Sequence, residues 1–354
     1  MIARSVIGAN FGDEGKGLVT DYLCSQGAGA VVRFNGGAQS GHTVVTPDGR
    51  RHVFSHVGSG SMLDVPTYLS EYFTCNPILF LQELDTLKAI GVFPSVYASP
   101  ACLVTTFADM IINQVLEDRR GDKRHGSVGV GFNETFERSA LAHLKITMAD
   151  LWNNTNIESR IAEICDKYAR FRMGEPVERW EAMATAFIKA CQMAAENIQP
   201  AGIGQCKDPV FEGGQGLLLD MDNKEFFPHL TRSKTGMHNV RALCQKAGID
   251  QIETYYVSRT YLTRHGAGPL PGESASMRYA DDTNLDHPYQ GRLRFAPLDV
   301  SSLMSRCATD NKGNAFKLVL THCDQVAPSF HADLCAYGSS RSDIETSRSM
   351  LADV

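Results

Sequence analysis

No apolar run in the 354 residues reaches the roughly 18 to 20 needed to cross a bilayer, so no membrane partner is expected. Positive charge is also scarce. Lys and Arg number 34 against 40 Asp and Glu, a net charge of −6, which leaves no overall field to draw the chain to nucleic acid or anionic lipid. The ten cysteines (Cys24, Cys75, Cys102, Cys165, Cys191, Cys206, Cys244, Cys307, Cys323 and Cys335) include no Cys-x-x-Cys pair and none at zinc-finger spacing from a His. They read as reduced core residues, not as a disulfide scaffold or a metal site. An internal repeat, a low-complexity tract and a Pro/Ser linker are all missing, and residues 1–354 read as one domain. The opening Met1 to Asn10 runs into Gly and acid where a secretion signal would stay apolar, so a cytoplasmic location is expected. What remains is a composition of 43% apolar and 21% charged residues, that of a globular chain with a sizeable core.

Short β-branched runs alternate with longer helical stretches, which predicts an α/β fold with a mostly parallel central sheet flanked by helices. Strands are expected at Ser5 to Ile7, Ala30 to Phe34, Pro209 to Glu212, Glu253 to Leu262, Lys317 to Thr321 and Asp333 to Tyr337. Helices are expected from Gly15 to Cys24, Leu103 to Asp118, Ile157 to Arg172 and Trp180 to Ile198. Another should begin at Asn76-Pro77, where Asn caps free amides and Pro at the first helical position loses no hydrogen bond. In open parallel sheets ligands bind beyond the carboxyl ends of the strands, so the polar and Gly-rich segments following each strand are where a site should lie.

The first strand leads into Gly8-Ala9-Asn10-Phe11-Gly12-Asp13-Glu14-Gly15-Lys16-Gly17 and then an apolar helix. A Gly-rich turn opening a helix offers unpaired amides and the positive dipole end to phosphate, and Lys16 adds charge for the outer phosphates. The usual phosphate loop has Gly where Asn10 stands and a Mg²⁺-holding hydroxyl where Gly17 stands, so another residue must bind the metal. Asp13 is the candidate, because a carboxylate there can reach both Mg²⁺ and a substrate. A second turn, Gly36-Gly37-Ala38-Gln39-Ser40-Gly41-His42-Thr43, follows the second strand; beside a phosphate loop its His can donate to charge on transferring oxygens.

These two turns, Phe211-Glu212-Gly213-Gly214-Gln215-Gly216 with its Leu-Leu-Leu-Asp, and Thr263-Arg264-His265-Gly266-Ala267-Gly268-Pro269 resemble, in that order, the adenylosuccinate synthetase family. The resemblance runs from residue 1 to about 340 and implies a P-loop-NTPase-like fold of that family's kind. It also implies a ligase that joins aspartate to C6 of a purine nucleotide through a 6-phosphoryl intermediate. On that basis Asp13 would be the general base at ring N1 and His42 the acid supporting phosphoryl transfer. Gly12, Asp13, Glu14, Gly15, Lys16, Gly17, Gly41, His42 and Thr43 would surround the triphosphate, and Thr321, Asp324 and Ser339 its base. Gln39, Ser40, Ser127, Val128, Gln215, Thr231 and Arg264 would form the substrate-nucleotide shell. Gln290, Gly291, Arg292 and Arg294 would take the aspartate, with Arg292 and Arg294 gripping its carboxylates. Mg²⁺ would sit on Asp13 and the Gly41 carbonyl. The family implies a homodimer.

Departures from the family pattern point one way. Typical members are longer, mainly between Asp324 and Ser339, and the guanine-reading Thr-Lys-x-Asp is Thr321-His322-Cys323-Asp324. The Asn of its second turn is Gln39, a phosphate-holding Thr is Val128, and the Arg lent across its dimer falls on Ala142. A short chain with these changes resembles the family's phage branch, PurZ, which acts on dGMP with ATP or dATP and L-aspartate to give N6-succino-2-amino-2′-deoxyadenylate for diaminopurine DNA. Asp13 sets the chain apart from phage relatives that carry Ser there. GTP is the less expected donor, and the location would be the host cytoplasm. Two alternatives stand beside this reading: adenylosuccinate synthetase acting on IMP with GTP, and a non-catalytic nucleotide-dependent switch. The basic run Arg119-Arg120-Gly121-Asp122-Lys123-Arg124-His125 reads either as a solvated loop or as a segment that orders over the nucleotide monophosphate.

Overall fold

A computed structural model describes residues 1–174, 180–284 and 291–346. Its main sheet has ten strands, labelled here in chain order: β1 (Ile2–Gly8), β2 (Ala30–Arg33), β3 (Thr67–Leu69), β4 (Val96–Ala98), β5 (Ile198–Pro200), β6 (Pro209–Gly216), β7 (Gln251–Arg259), β8 (Lys317–Thr321), β9 (Leu334–Ala336) and β10 (Ile344–Thr346). Across the sheet they run β10, β9, β8, β7, β1, β6, β2, β3, β4, β5. Every neighbouring pair is parallel except β9 with β10. The α/β fold expected from the alternating pattern is the one observed.

The central strands read as near-continuous apolar runs because both faces are covered. Val6, Val31, Val210, Tyr255, Val257 and Val319 pack with Val19 and Leu23 of the helix Lys16–Ser25. Their chain neighbours Ile7, Val32, Phe211, Tyr256, Leu318 and Leu320 pack with the helices Met237–Ala247 and Val300–Asp310. That division is the period-two alternation of a strand, and it assigns the two helix layers to opposite faces. A third and larger apolar cluster joins the helices Pro77–Ala89, Phe107–Arg120 and Trp180–Asn197.

Several expected boundaries shift. Leu103–Val104 is a short strand pairing with Thr74–Cys75, and the helix begins at Phe107, where the Thr106 side chain accepts from Asp109 N and the Asp109 carboxylate accepts from Thr106 N. The 157–172 stretch contains a π-turn, Ile164–Tyr168. The strand expected over 253–262 ends at Arg259, and Leu262–Arg264 pairs instead with Arg294–Ala296. As expected, Asn76 caps its helix by accepting from Ile78 N (3.1 Å) and Leu79 N (3.2 Å).

Candidate active site

The carboxyl ends of β1, β2, β6, β7 and β8 open onto one cavity of about 900 Å³. The first turn after β1 is built on left-handed backbone, with Gly12 at φ 103°, Asp13 at 61° and Gly15 at 89°. Within it Glu14 is turned inward: Oε1 accepts from Asn10 N (3.0 Å) and Gly12 N (2.8 Å), and Oε2 stands 2.8 Å from Lys16 Nζ. The donors suited to phosphate are thus gathered on an internal carboxylate. Gly8 is needed beneath them, since a Cβ there would meet Glu14 Oε2 at 2.4 Å. Gly17 lies so close to the second turn that a Cβ would reach Thr43 O at 2.9 Å, which locks the two turns together.

His42 begins the strand His42–Val45, and its Nδ1 stands 2.8 Å from Oε1 of the fully buried Glu212, while Nε2 has no partner among the described residues. Glu212 is the register partner of Arg33, whose guanidinium lies 3.7 Å away, and it accepts from Ser59 N (3.2 Å). Although burial opposes ionisation, His42, Arg33 and Ser59 hold its carboxyl at about 2. Burial lowers the His42 pKa, and the Glu212 charge pulls it back up. At Asp13 burial raises the pKa, opposed by the charges of Arg259, His265 and Lys16. Its half-buried carboxylate has His265 as its ion-pair partner among the described residues, 3.9 Å from Oδ2 to Nδ1.

Of the residues expected at the site, Gly12, Asp13, Gly15, Lys16, Gly17, Gln39, Ser40, Gly41, His42, Thr43, Ser127, Val128, Gln215, Thr231, Arg264, Thr321, Asp324 and Ser339 line the cavity. Both amide atoms of Gln39, Oε1 of Gln215 and Oγ1 of Thr43 are buried there without a partner. The guanidinium of Arg264 is committed to its own framework, donating to Pro269 O (2.7 Å) and His229 O (3.1 Å) over the Phe11 ring; burial and Arg294 bring its pKa down to about 10. Arg292 is exposed and Arg294 is bound to Glu273 (2.7 Å) and to the carbonyls of Gly266 and Gly268. Neither they nor Gly291 is among the lining residues, although Gly291 O accepts from His265 Nε2 (3.1 Å). Gln290 lies outside the described residues.

Sequence reasoning missed Arg259 as a wall residue, and missed what Glu212 does. Arg259, at the end of β7, donates to Asp13 O (2.6 Å) and Asp281 (2.7 Å). Although burial opposes it, Arg259 and Asn284 hold the Asp281 carboxyl at about 2. Asp281 belongs to a segment, Ala280 to Asn284, that forms a further wall. His322 stands in a left-handed turn after β8, with its pKa pushed down to about 3 by burial and by Arg259, so it adds no charge to the wall. Asp324, in the connection from β8 to β9, and Ser339, just after β9, line the same cavity, with Cys323 N donating to Ala336 O at 3.0 Å.

The described residues contain no group of three or more His, Cys, Asp and Glu poised for a metal. A Mg²⁺ ion needs one or two protein oxygens when phosphates and water fill the rest, and the expected ligand residues, Asp13 and Gly41, both line the cavity. No helix among the described residues is long and apolar enough to cross a membrane.

A Gly-rich turn between a parallel strand and a helix, with Lys16 and an acid in its crest, defines an α/β nucleotide-binding protein of the phosphate-loop type. The family model described as adenylosuccinate synthetase matches residues 5–301, and the chain belongs to that family. It is 31% identical to the adenylosuccinate synthetase of Alkalilimnicola ehrlichii over 285 residues, covering 76% of this chain and 64% of that protein. With the Pseudomonas fluorescens (strain Pf0-1) enzyme the identity is 30%, over 86% of this chain and 76% of the relative. The chain thus spans less than two thirds of the first of these relatives. Among solved structures, fully ligated adenylosuccinate synthetase from Plasmodium falciparum superposes with a TM-score of 0.74 at 20% identity, over 90% of this chain and 77% of the other. Succinoaminodeoxyadenylate synthetase (PurZ) of cyanophage S-2L, bound to dGMP and dATP, gives 0.62 at 15% identity, over 98% of this chain and 95% of the other. At those identities the two structures speak for the fold alone.

Proposed function

We propose that the chain is a ligase joining L-aspartate to C6 of a purine nucleotide at the expense of a nucleoside triphosphate, with dGMP as the nucleotide and ATP or dATP as the donor. The observation that carries the ligase reading is the unpartnered amide of Gln39 and the unpartnered Oε1 of Gln215, lining with Asp13 a cavity that also holds the phosphate loop. Those amides suit a purine edge, and the loop suits a triphosphate. A purine carbonyl oxygen is a poor nucleophile until N1 loses its proton. Asp13 takes that proton, the six-oxygen attacks the γ-phosphorus, and the bond to the diphosphate leaving group breaks. The amine of aspartate then adds at C6 and phosphate departs with the former carbonyl oxygen. His42, oriented by Glu212 on its Nδ1 side, presents Nε2 to the charge on the transferring oxygens. Lys16 exchanges Glu14 for phosphate. Mg²⁺, held by Asp13 and Gly41, would supply neutralisation of phosphate charge.

The finer assignment to dGMP and an adenine donor rests on this chain's departures from the family pattern, Gln39, Val128 and His322 among them. His322 in place of the family's lysine supports the same choice of donor. All expected partners are small molecules, and a homodimer is the assembly inferred from the family, with Ala142 exposed. Incubation with aspartate, Mg²⁺ and each pairing of dGMP or IMP with ATP, dATP or GTP tests the reading. Turnover is expected with dGMP and an adenine nucleotide. Turnover with IMP and GTP alone would overturn the dGMP assignment, and no aspartate-dependent phosphate release with any pair would leave the nucleotide switch.

A further inference from the structure

The turn after β1 is left-handed at three residues, and one of them is not glycine. Gly12 (φ 103°) and Gly15 (89°) adopt that region freely, whereas Asp13 (61°) carries a Cβ and needs support to stay there. The support comes from one side chain. Arg259, 2% exposed at the end of β7, donates through Nε to Asp13 O at 2.6 Å. A bonded carbonyl fixes the plane of the peptide between Asp13 and Glu14, and with it the direction in which the Asp13 carboxylate leaves the turn. The carbonyl of Glu14 is held beside it by Thr321 Oγ1 (2.8 Å). Arg259 is itself held. Its Nη2 donates to Asp281 Oδ2 (2.7 Å) and its Nη1 to the Tyr261 hydroxyl (3.3 Å). The Asp281 carboxylate is fixed in turn, accepting from Thr283 N (3.0 Å), Asn284 N (2.8 Å) and Asn284 Nδ2 (2.8 Å). All three nitrogens of the guanidinium are thus spent on the protein, so Arg259 acts through Asp13 and not on a ligand.

We propose that Arg259 is a positioning residue for the base: its bond to the Asp13 carbonyl, anchored by Asp281, keeps the Asp13 carboxylate aimed at the substrate nucleotide. The role rests on the reading that Asp13 is the base of a ligase. A double-mutant cycle on aspartate-dependent phosphate release, run with the nucleotide pair that the wild-type protein turns over, separates the two. Arg259→Ala should lower kcat at least about tenfold while KM for aspartate stays within about threefold of the wild-type value. Placed in Asp13→Asn, the same substitution should cost no more than about a further twofold, because no base is left to aim. Asp281→Asn, which keeps an oxygen for the amides of its turn and loses the charge that anchors Arg259, should lower kcat severalfold. Guanidinium ion at low millimolar concentration should restore part of the rate to Arg259→Ala, which also shows that the variant folds, and none when Asp13→Asn is present as well. An undiminished kcat in Arg259→Ala, an equal loss in the Asp13→Asn background, or no recovery with guanidinium would overturn the positioning role and leave the ligase reading intact. A wild-type protein that releases no phosphate in response to aspartate, or an Asp13→Asn variant as fast as wild type, would sink the underlying reading and the role of Arg259 with it.

Discussion

A carboxylate acts as a base only when ionised, and the burial of Asp13 works against that by raising its pKa, while Arg259, His265 and Lys16 pull it down. The balance leaves the group above the ordinary carboxylate range. The ionised form, and with it the rate, should therefore rise with pH through a value above that range and fall away below it. Asp13→Asn is expected to lower aspartate-dependent phosphate release by at least ~10²-fold and to abolish that acid limb. A pH–rate profile of kcat/KM for both proteins checks this; an unchanged limb in the variant would assign it to another group. That Asp13, Lys16 and His42 would line the cavity was legible from the sequence because each sits in a Gly-rich turn at the end of an expected strand. Glu212 was legible as part of a motif and not as the partner of His42. Its role depends on β6 lying beside β2, which brings it Arg33, His42 and Ser59 from a stretch of chain 153 or more residues away.

The elements that lead into the basic run Arg119 to His125 depend on a buried ion pair. Arg138, on the helix Phe132–Ser139, is fully buried and bonded to Asp109 (2.9 Å), to Leu144 O and to Val104 O, and Asp109 in turn caps the helix Phe107–Arg120 that ends at Arg120. Removing one partner strands the other charge. Arg138→Met should cost about 3–5 kcal/mol, read as a shift in urea midpoint with an unchanged slope. A loss below about 1 kcal/mol would mean that Asp109 finds water or protonates at little cost. The capped helix at Asn76 was legible because its signal is two adjacent residues. The strands β3, β4 and β5 were not, because three residues carry too little period-two pattern to separate from a loop. Their existence is set by pairing with β2 and with one another. The helices Met237–Ala247 and Val300–Asp310 escaped for a related reason: each presents a narrow apolar stripe within a polar sequence, and that stripe has meaning only against the sheet face it covers.

Taken as a whole, the molecule gathers the groups expected to bind nucleotides around one cavity and leaves those expected to bind aspartate apart from it. Arg292 is exposed, and Arg294 is held by Glu273 and by the carbonyls of Gly266 and Gly268. If these arginines take the aspartate carboxylates, the free protein must first give up the Glu273 pair, and aspartate alone has to supply that free energy. Bound nucleotides that fix the walls at His265 and Ala267 would lower the cost, so the ligands should bind with positive coupling. Calorimetry is expected to show aspartate binding at least about tenfold more weakly to the free protein than to protein loaded with the monophosphate and a non-hydrolysable triphosphate. Glu273→Gln, which releases Arg294 beforehand, should narrow that gap by strengthening binding to the free form. Tight aspartate binding to the unloaded wild-type chain would show that the arginines need no such release, and that the amino acid is held by other groups.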